Sequence, residues 1–272
     1  MKTIDLTESY IRHVLGDNDL AAYEQEMPEL FRHYFTFWGE RKSFRPMLKD
    51  AAAVQEKRDL VQSRFLEIER RLQSAGLNTS GFTTVLLVGQ QCTNGHAFRQ
   101  EDRFIVWLPI EAYNTTQEVD IFITHEIVHA LHYTAVPDFY FTTKQEKDNT
   151  LRQLVTEGIA TYVSETAWGV DEATALWANS IPVDARQHWM AQCAGRLKEL
   201  CWFSLAHINE SSAGFFQANN PSDIFSYRAG YYVGLQIIKQ AVRQMQLTPS
   251  QLLQISKTKW KEFVLQGLQR CA

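Results

Sequence analysis

Apolar residues recur at spacings of three and four from Ile4 to about Ala75: Ile11, Val14 and Leu15, then Leu30, Phe31, Tyr34, Phe35 and Trp38, then Leu60, Val61, Phe65, Ile68 and Leu72. An α-helix presents that period to a core, so two or three helices are expected here. The aromatic density of Phe31 to Trp38 fits a buried stripe better than a binding face. Past Gly76 the texture changes. Thr83–Val88 and Phe104–Leu108 are short β-branched and aliphatic runs, separated by 89–103 with its Thr93, Asn94 and Gly95, and the second is closed by Pro109. They predict two strands of a small antiparallel sheet. From Thr116 onward helical periodicity returns over 119–134, 150–167, 171–179, 184–209, 222–245 and 249–266, broken at Pro137, Gly169, Pro182, Pro221 and Pro249. Such breaks are where helices stop. The pattern predicts a mainly helical α+β chain, with a helical N-terminal region over 1–75 and a core over 76–272, packed as one compact unit.

The chain of 272 residues is 45% hydrophobic and 21% charged, the balance of an ordinary globular protein large enough to bury a sizeable core. Its net charge of −4, without a long run of Lys and Arg, gives no phosphate-tracking stripe, so nucleic acid is not an expected partner. No apolar stretch approaches the roughly 20 residues of a membrane helix, so no membrane partner is expected either. Asp5, Glu8, Asp17 and Asp19 interrupt the start, which lacks the basic and apolar blocks of a secretory signal; a cytoplasmic protein is expected. Cys92, Cys193, Cys201 and Cys271 form no CxxC pair, and buried free thiols are the expectation for all four.

One segment carries chemistry. In Ile121-Phe-Ile-Thr-His125-Glu126-Ile-Val-His129-Ala-Leu-His132 an HExxH pattern sits inside an apolar helical run. On a helix, positions four apart face the same way, so His125 and His129 can present ring nitrogens to one metal ion. Glu126, rotated by about 100°, can flank that ion and take a proton from water on it without being a ligand. The pattern arises by chance roughly once in a hundred chains of this length. Its apolar setting lowers the odds further, because buried imidazoles and a buried carboxylate are costly without partners. A catalytic zinc usually has three protein ligands and one open position. A metzincin would have glycine at 132 and histidine at 135, where this chain has His132 and Ala135. Downstream, Thr156-Glu157-Gly158-Ile-Ala160-Thr-Tyr162 offers a glutamate 28 positions after His129 (157 − 129), on a helical stretch with small residues that permit close packing. Glu157 is the expected third ligand.

These residues resemble the gluzincins, thermolysin-like and aminopeptidase-like zinc peptidases whose third ligand is a glutamate on a helix after HExxH. More narrowly, 83–239 is similar to bacterial domains described as predicted zinc-dependent proteases, through the strand-loop-strand before HExxH, the EGxAxY segment and the late Gly230-Tyr231-Tyr232-Val233-Gly234. The resemblance implies a zincin-like, thermolysin-like core, one Zn2+ per chain, a peptide or protein substrate, and hydrolysis by zinc-activated water with Glu126 as general base. It places Tyr231, with Arg228 second and Tyr232 as rival, as stabiliser of the oxyanion. It also places Asn94 to Phe98 on the edge strand or loop that pairs with a substrate backbone; a plain turn is the simpler reading. His96, as a loop histidine, is expected to face solvent, and His132 to pack. Something must hold the imidazoles in orientation, and Glu165 and Asp171 are candidates on that general expectation. The alternative is a non-catalytic zinc-binding sensor or interaction module that keeps the peptidase fold.

Overall fold

The computed structural model describes residues 1–271, which divide into two compact units: 1–74 with 78–130, and 75–77 with 131–271. In the first unit β1 (Lys2–Asp5), β2 (Thr83–Leu87), β3 (His96–Gln100) and β4 (Arg103–Pro109) form a sheet in the order β1-β2-β4-β3. The sheet is mixed, where a purely antiparallel one was expected. β1 and β2 run parallel with Lys2 opposite Thr83, β2 and β4 run parallel with Thr84 opposite Val106, and only β3 and β4 are antiparallel. The reason lies in the segment after β2, where the resemblance placed Asn94 to Phe98 on an edge strand or its loop and a turn was the simpler reading. Residues 96–100 form a strand of their own, so the chain turns back at Glu101 and Asp102 and β4 slots between β2 and β3. Glu101 takes φ +53° in that turn.

The expected all-helical start is also corrected, since Lys2–Asp5 is a strand at the other sheet edge with both end residues exposed. β2 is buried along its whole length and β4 from Phe104 on, which is why both read as continuous apolar runs rather than alternating ones. Helix α1 (Pro28–Phe37) packs on β3, with Tyr34 edge-on to Trp107 of β4 at 5.3 Å between ring centroids. Helices α2 (Ala51–Gln62) and α3 (Phe65–Ser74) follow, and Arg64 forms a two-pronged ion pair with Asp120 at 2.7 and 2.9 Å.

Asp120 lies in a π-helical turn, Val119–Ile123, opened by a capping box in which Thr115 and Glu118 satisfy each other's backbone N–H groups. Single π turns inside helices recur at functional sites, and this one feeds straight into α4 (Thr124–Ala135), the HExxH helix.

The second unit is helical. Helix α5 (Thr150–Trp168) starts at Asn149, whose side chain accepts the Arg152 N–H, and stops at Gly169 with φ +63°. Further on come α6 (Val183–Gly195), α7 (Leu197–Ala206), α8 (Ala229–Met245) and α9 (Lys257–Cys271). A single helix expected over 184–209 is therefore two, broken at Arg196. Helices α5 and α8 cross backbone to backbone. A Cβ added at Gly158 would stand 2.6 Å from the Gly234 carbonyl, and one at Gly234 would stand 2.5 Å from the Leu154 oxygen. Nearby, Lys239 on α8 binds Glu165 of α5 at 2.6 Å and Glu172 at 2.7 Å.

All four cysteines are free; Cys193 and Cys201 are buried as expected, but Cys92 is exposed and Cys271 half-buried. Among the described residues no helix is long and apolar enough to cross a membrane.

Because the atoms that crowd Gly158 and Gly234 are mostly backbone, they cannot rotate away. Gly158→Ala or Gly234→Ala is expected to destabilise the protein by about 1–3 kcal/mol, despite alanine's better helix propensity. Urea unfolding of each variant against wild type checks this.

Candidate metal centre

Helix α4 turns its apolar residues inward: Ile127, Val128 and Ala130 are fully buried. His125 and His129 are buried with them, at 8% and 4% exposure. Their Nε2 atoms stand 3.0 Å apart and the rings are nearly perpendicular, at 81°. Two nitrogens each about 2.0–2.1 Å from one tetrahedral zinc would stand about 3.3 Å apart, so the pair is spaced as co-ligands are. Glu157 on α5 is half-buried, and one ligand atom from each of His125, His129 and Glu157 lies within 4.8 Å of the others. Among the described residues this is the group of His, Cys, Asp and Glu side chains able to hold a metal ion. Two imidazoles and one carboxylate form a borderline donor set of the kind that suits zinc.

Glu126 follows on the next helix position and is half-buried. Its neighbour is the turn that enters β3. Gly95 has φ +136°, and a Cβ there would meet the Trp107 carbonyl oxygen at 3.0 Å and Glu126 Cγ at 3.1 Å. The Tyr113 hydroxyl donates to the Asn94 carbonyl and holds this turn in place. Burial raises the Tyr113 phenol well above its usual range, and the charge of Glu126 adds to the effect. Tyr113 and Gly95 as partners of Glu126 escaped the sequence reading; the only signal was the Asn-Gly pair just before a strand.

The other expected residues fall as follows. Arg228 caps α8 from a left-handed conformation, φ +58°, and its guanidinium lies 4.6 Å from the Trp177 ring centroid and 4.4 Å from that of Tyr231. Tyr231 is half-buried beside Phe216, while Tyr232 is 6% exposed and packs edge-on to Trp189. Burial pushes the Tyr232 phenol up to about 12. His132 is fully buried against Phe139, the packing role expected of it. His96 does not face solvent. It begins β3 at 7% exposure, 4.3 Å from the Trp38 ring and 5.8 Å from that of His33, whose own pKa burial lowers to about 4. Glu165 pairs with Lys239, and Asp171 caps the short helix Glu172–Trp177, so each has a structural task of its own.

The profile of the family described as Predicted Zn-dependent protease (DUF2268) matches residues 83–262. The chain belongs to this family. No curated protein and no solved structure matches it. The span shared with the predicted Zn-dependent proteases holds β2, β3 and β4, the His125, His129 and Glu157 cluster, Glu126 and the Gly158–Gly234 crossing. It leaves out β1 and the N-terminal helices.

Gly95→Ala would force a side chain into the left-handed region and against both Glu126 and a carbonyl. It should cost about 1–3 kcal/mol of stability, read by urea unfolding, with the metal content unchanged because no ligand is touched.

Proposed function

We propose that the chain is a gluzincin-type zinc peptidase, with one zinc per chain on His125, His129 and Glu157 and a peptide or protein as substrate. The observation that carries this reading is the pair of buried imidazole nitrogens 3.0 Å apart with the Glu157 carboxylate in reach, in a member of a predicted Zn-dependent protease family. Bound there, zinc supplies Lewis acidity that acidifies water and polarises an amide carbonyl.

The chain's own groups do the rest. His125 and His129 bind as neutral imidazoles, each keeping Nε2 free of a proton. Glu126 carries the proton: its carboxylate accepts one from the attacking water and returns it to the leaving amine nitrogen. The Gly95 turn packed on Glu126 Cγ limits where that carboxylate can swing. Tyr231 and Arg228 are the proposed oxyanion donors, with Tyr231 ahead of Tyr232 because the latter is packed on Trp189. The backbone contact of Gly158 with Gly234 supports this. It ties the helix of Glu157, one residue before Gly158, to the helix of Tyr231, three residues before Gly234. The edge position of β3 supports substrate binding by strand addition, since its outer side has no neighbouring strand in the sheet.

Glu126 is dispensable for holding the metal, so its presence favours catalysis over a sensor that only binds zinc. Glu126→Gln should retain zinc and lower peptide turnover by about 10²–10⁴-fold. Zinc content and turnover measured on the same preparation check this, and a zinc-loaded variant of wild-type activity would remove Glu126 from its role. A zinc-loaded wild type that binds peptides and cleaves none would favour the sensor.

A further inference from the structure

Between β2 and β3 the chain makes a loop, 88–95, that ends against Glu126, and its anchoring is unusual. Four consecutive backbone N–H groups are taken up by side chains rather than by a ladder. Val88 N–H donates to the Tyr23 hydroxyl at 3.0 Å, Gly89 N–H to Glu111 Oε2 at 3.0 Å, Gln90 N–H to the Tyr34 hydroxyl at 2.8 Å, and Gln91 N–H to Glu111 Oε1 at 3.0 Å. Glu111 is only 5% exposed and lies in the short 3₁₀ turn Ile110–Ala112 that follows β4. A carboxylate buried to that degree is costly, and its structural return is both oxygens committed to one loop. Gly89 leaves the room: a Cβ there would meet the Tyr34 oxygen at 2.7 Å and Glu111 Oε1 at 3.1 Å. Tyr34 also touches the sulfur of Cys92, at 3.2 Å, and Tyr113 holds the Asn94 carbonyl at the far end.

We propose that Glu111 is a positioning residue, whose carboxylate locks loop 88–95 so that Gly95 bears on Glu126 and β3 starts in register beside it. This rests on the peptidase reading for its catalytic consequence, but the locking of the loop stands on its own geometry. A loop with a dense set of side-chain acceptors is rigid on the timescale of turnover, and small misplacements of a catalytic group cost rate rather than binding. Glutamine keeps the size and shape of the glutamate side chain. It offers one acceptor where two are needed and turns an NH2 toward the other amide.

The test is Glu111→Gln, with Tyr34→Phe as a second variant that keeps the ring in the core and removes the acceptor of Gln90 N–H together with the hydroxyl that meets Cys92 Sγ. Both are compared with wild type for zinc content, for kcat and KM on a peptide substrate, and for the alkylation rate of Cys92 by N-ethylmaleimide, mapped by peptide mass spectrometry. With zinc unchanged, Glu111→Gln is expected to lower kcat about tenfold, to move KM less than about threefold, and to speed Cys92 alkylation about fivefold or more. Tyr34→Phe should lower kcat the same way by less, while its Cys92 rate also reflects the lost hydroxyl contact. A wild-type Cys92 alkylation rate in Glu111→Gln would overturn the locking of the loop. Faster alkylation at unchanged kcat would overturn the positioning role. If the wild type cleaves no peptide, the peptidase reading fails by itself, and the Cys92 rates still decide whether Glu111 holds the loop.

Discussion

Two histidine side chains buried on one face of a helix, with their Nε2 atoms 3.0 Å apart, set the constraint to which the surrounding structure answers. Polar rings withdrawn from water lose several kcal/mol of hydration unless something replaces it. One carboxylate oxygen from Glu157 lies within 4.8 Å of the imidazole nitrogens, and a divalent cation held there would interact with all three groups at once. The apolar residues that bury α4 fix the two imidazoles, and the π turn before it delivers the helix at the end of a buried segment.

The two glycine-bearing segments, 156–162 and 230–234, gain a physical meaning from the second unit. Glycine at 158 and glycine at 234 are there because two helix backbones touch, and any side chain would part them. The neighbours of those glycines, Glu157 and Tyr231, are thereby held on helices whose spacing cannot drift. In the first unit the same economy appears as a loop. Glu111, Tyr23, Tyr34 and Tyr113 spend their polar atoms on backbone groups of 88–95, so the turn at Gly95 reaches Glu126 already shaped.

The sequence was most readable where spacing alone imposes chemistry. His125, Glu126 and His129 follow from helix geometry, and Glu157 from a carboxylate beside small residues on a second helix. Strands β2 and β4 were visible as apolar runs, but their parallel pairing was not, because β3 hid in a segment rich in turn residues. β1 was missed because Lys2 and Asp5 flank only two β-branched residues, and its partner Thr83 lies far along the chain. His96 was expected at the surface since nothing local announces that Trp38 and His33 will cover it. Nothing local marks Glu111, two positions after Pro109, as a buried carboxylate. Its burial is set by Tyr23, Tyr34 and the loop amides, which are distant in sequence and close only once the sheet has formed.

The most direct test of the account is the metal content of the purified protein, wild type against Glu157→Ala, after reconstitution with zinc and removal of excess. The account requires about one zinc per wild-type chain and at least a tenfold weaker hold in the variant, since a catalytic site of this kind needs three protein ligands. A wild type that takes up no zinc, or a variant that holds it as tightly, would contradict the assignment of His125, His129 and Glu157 as one metal site.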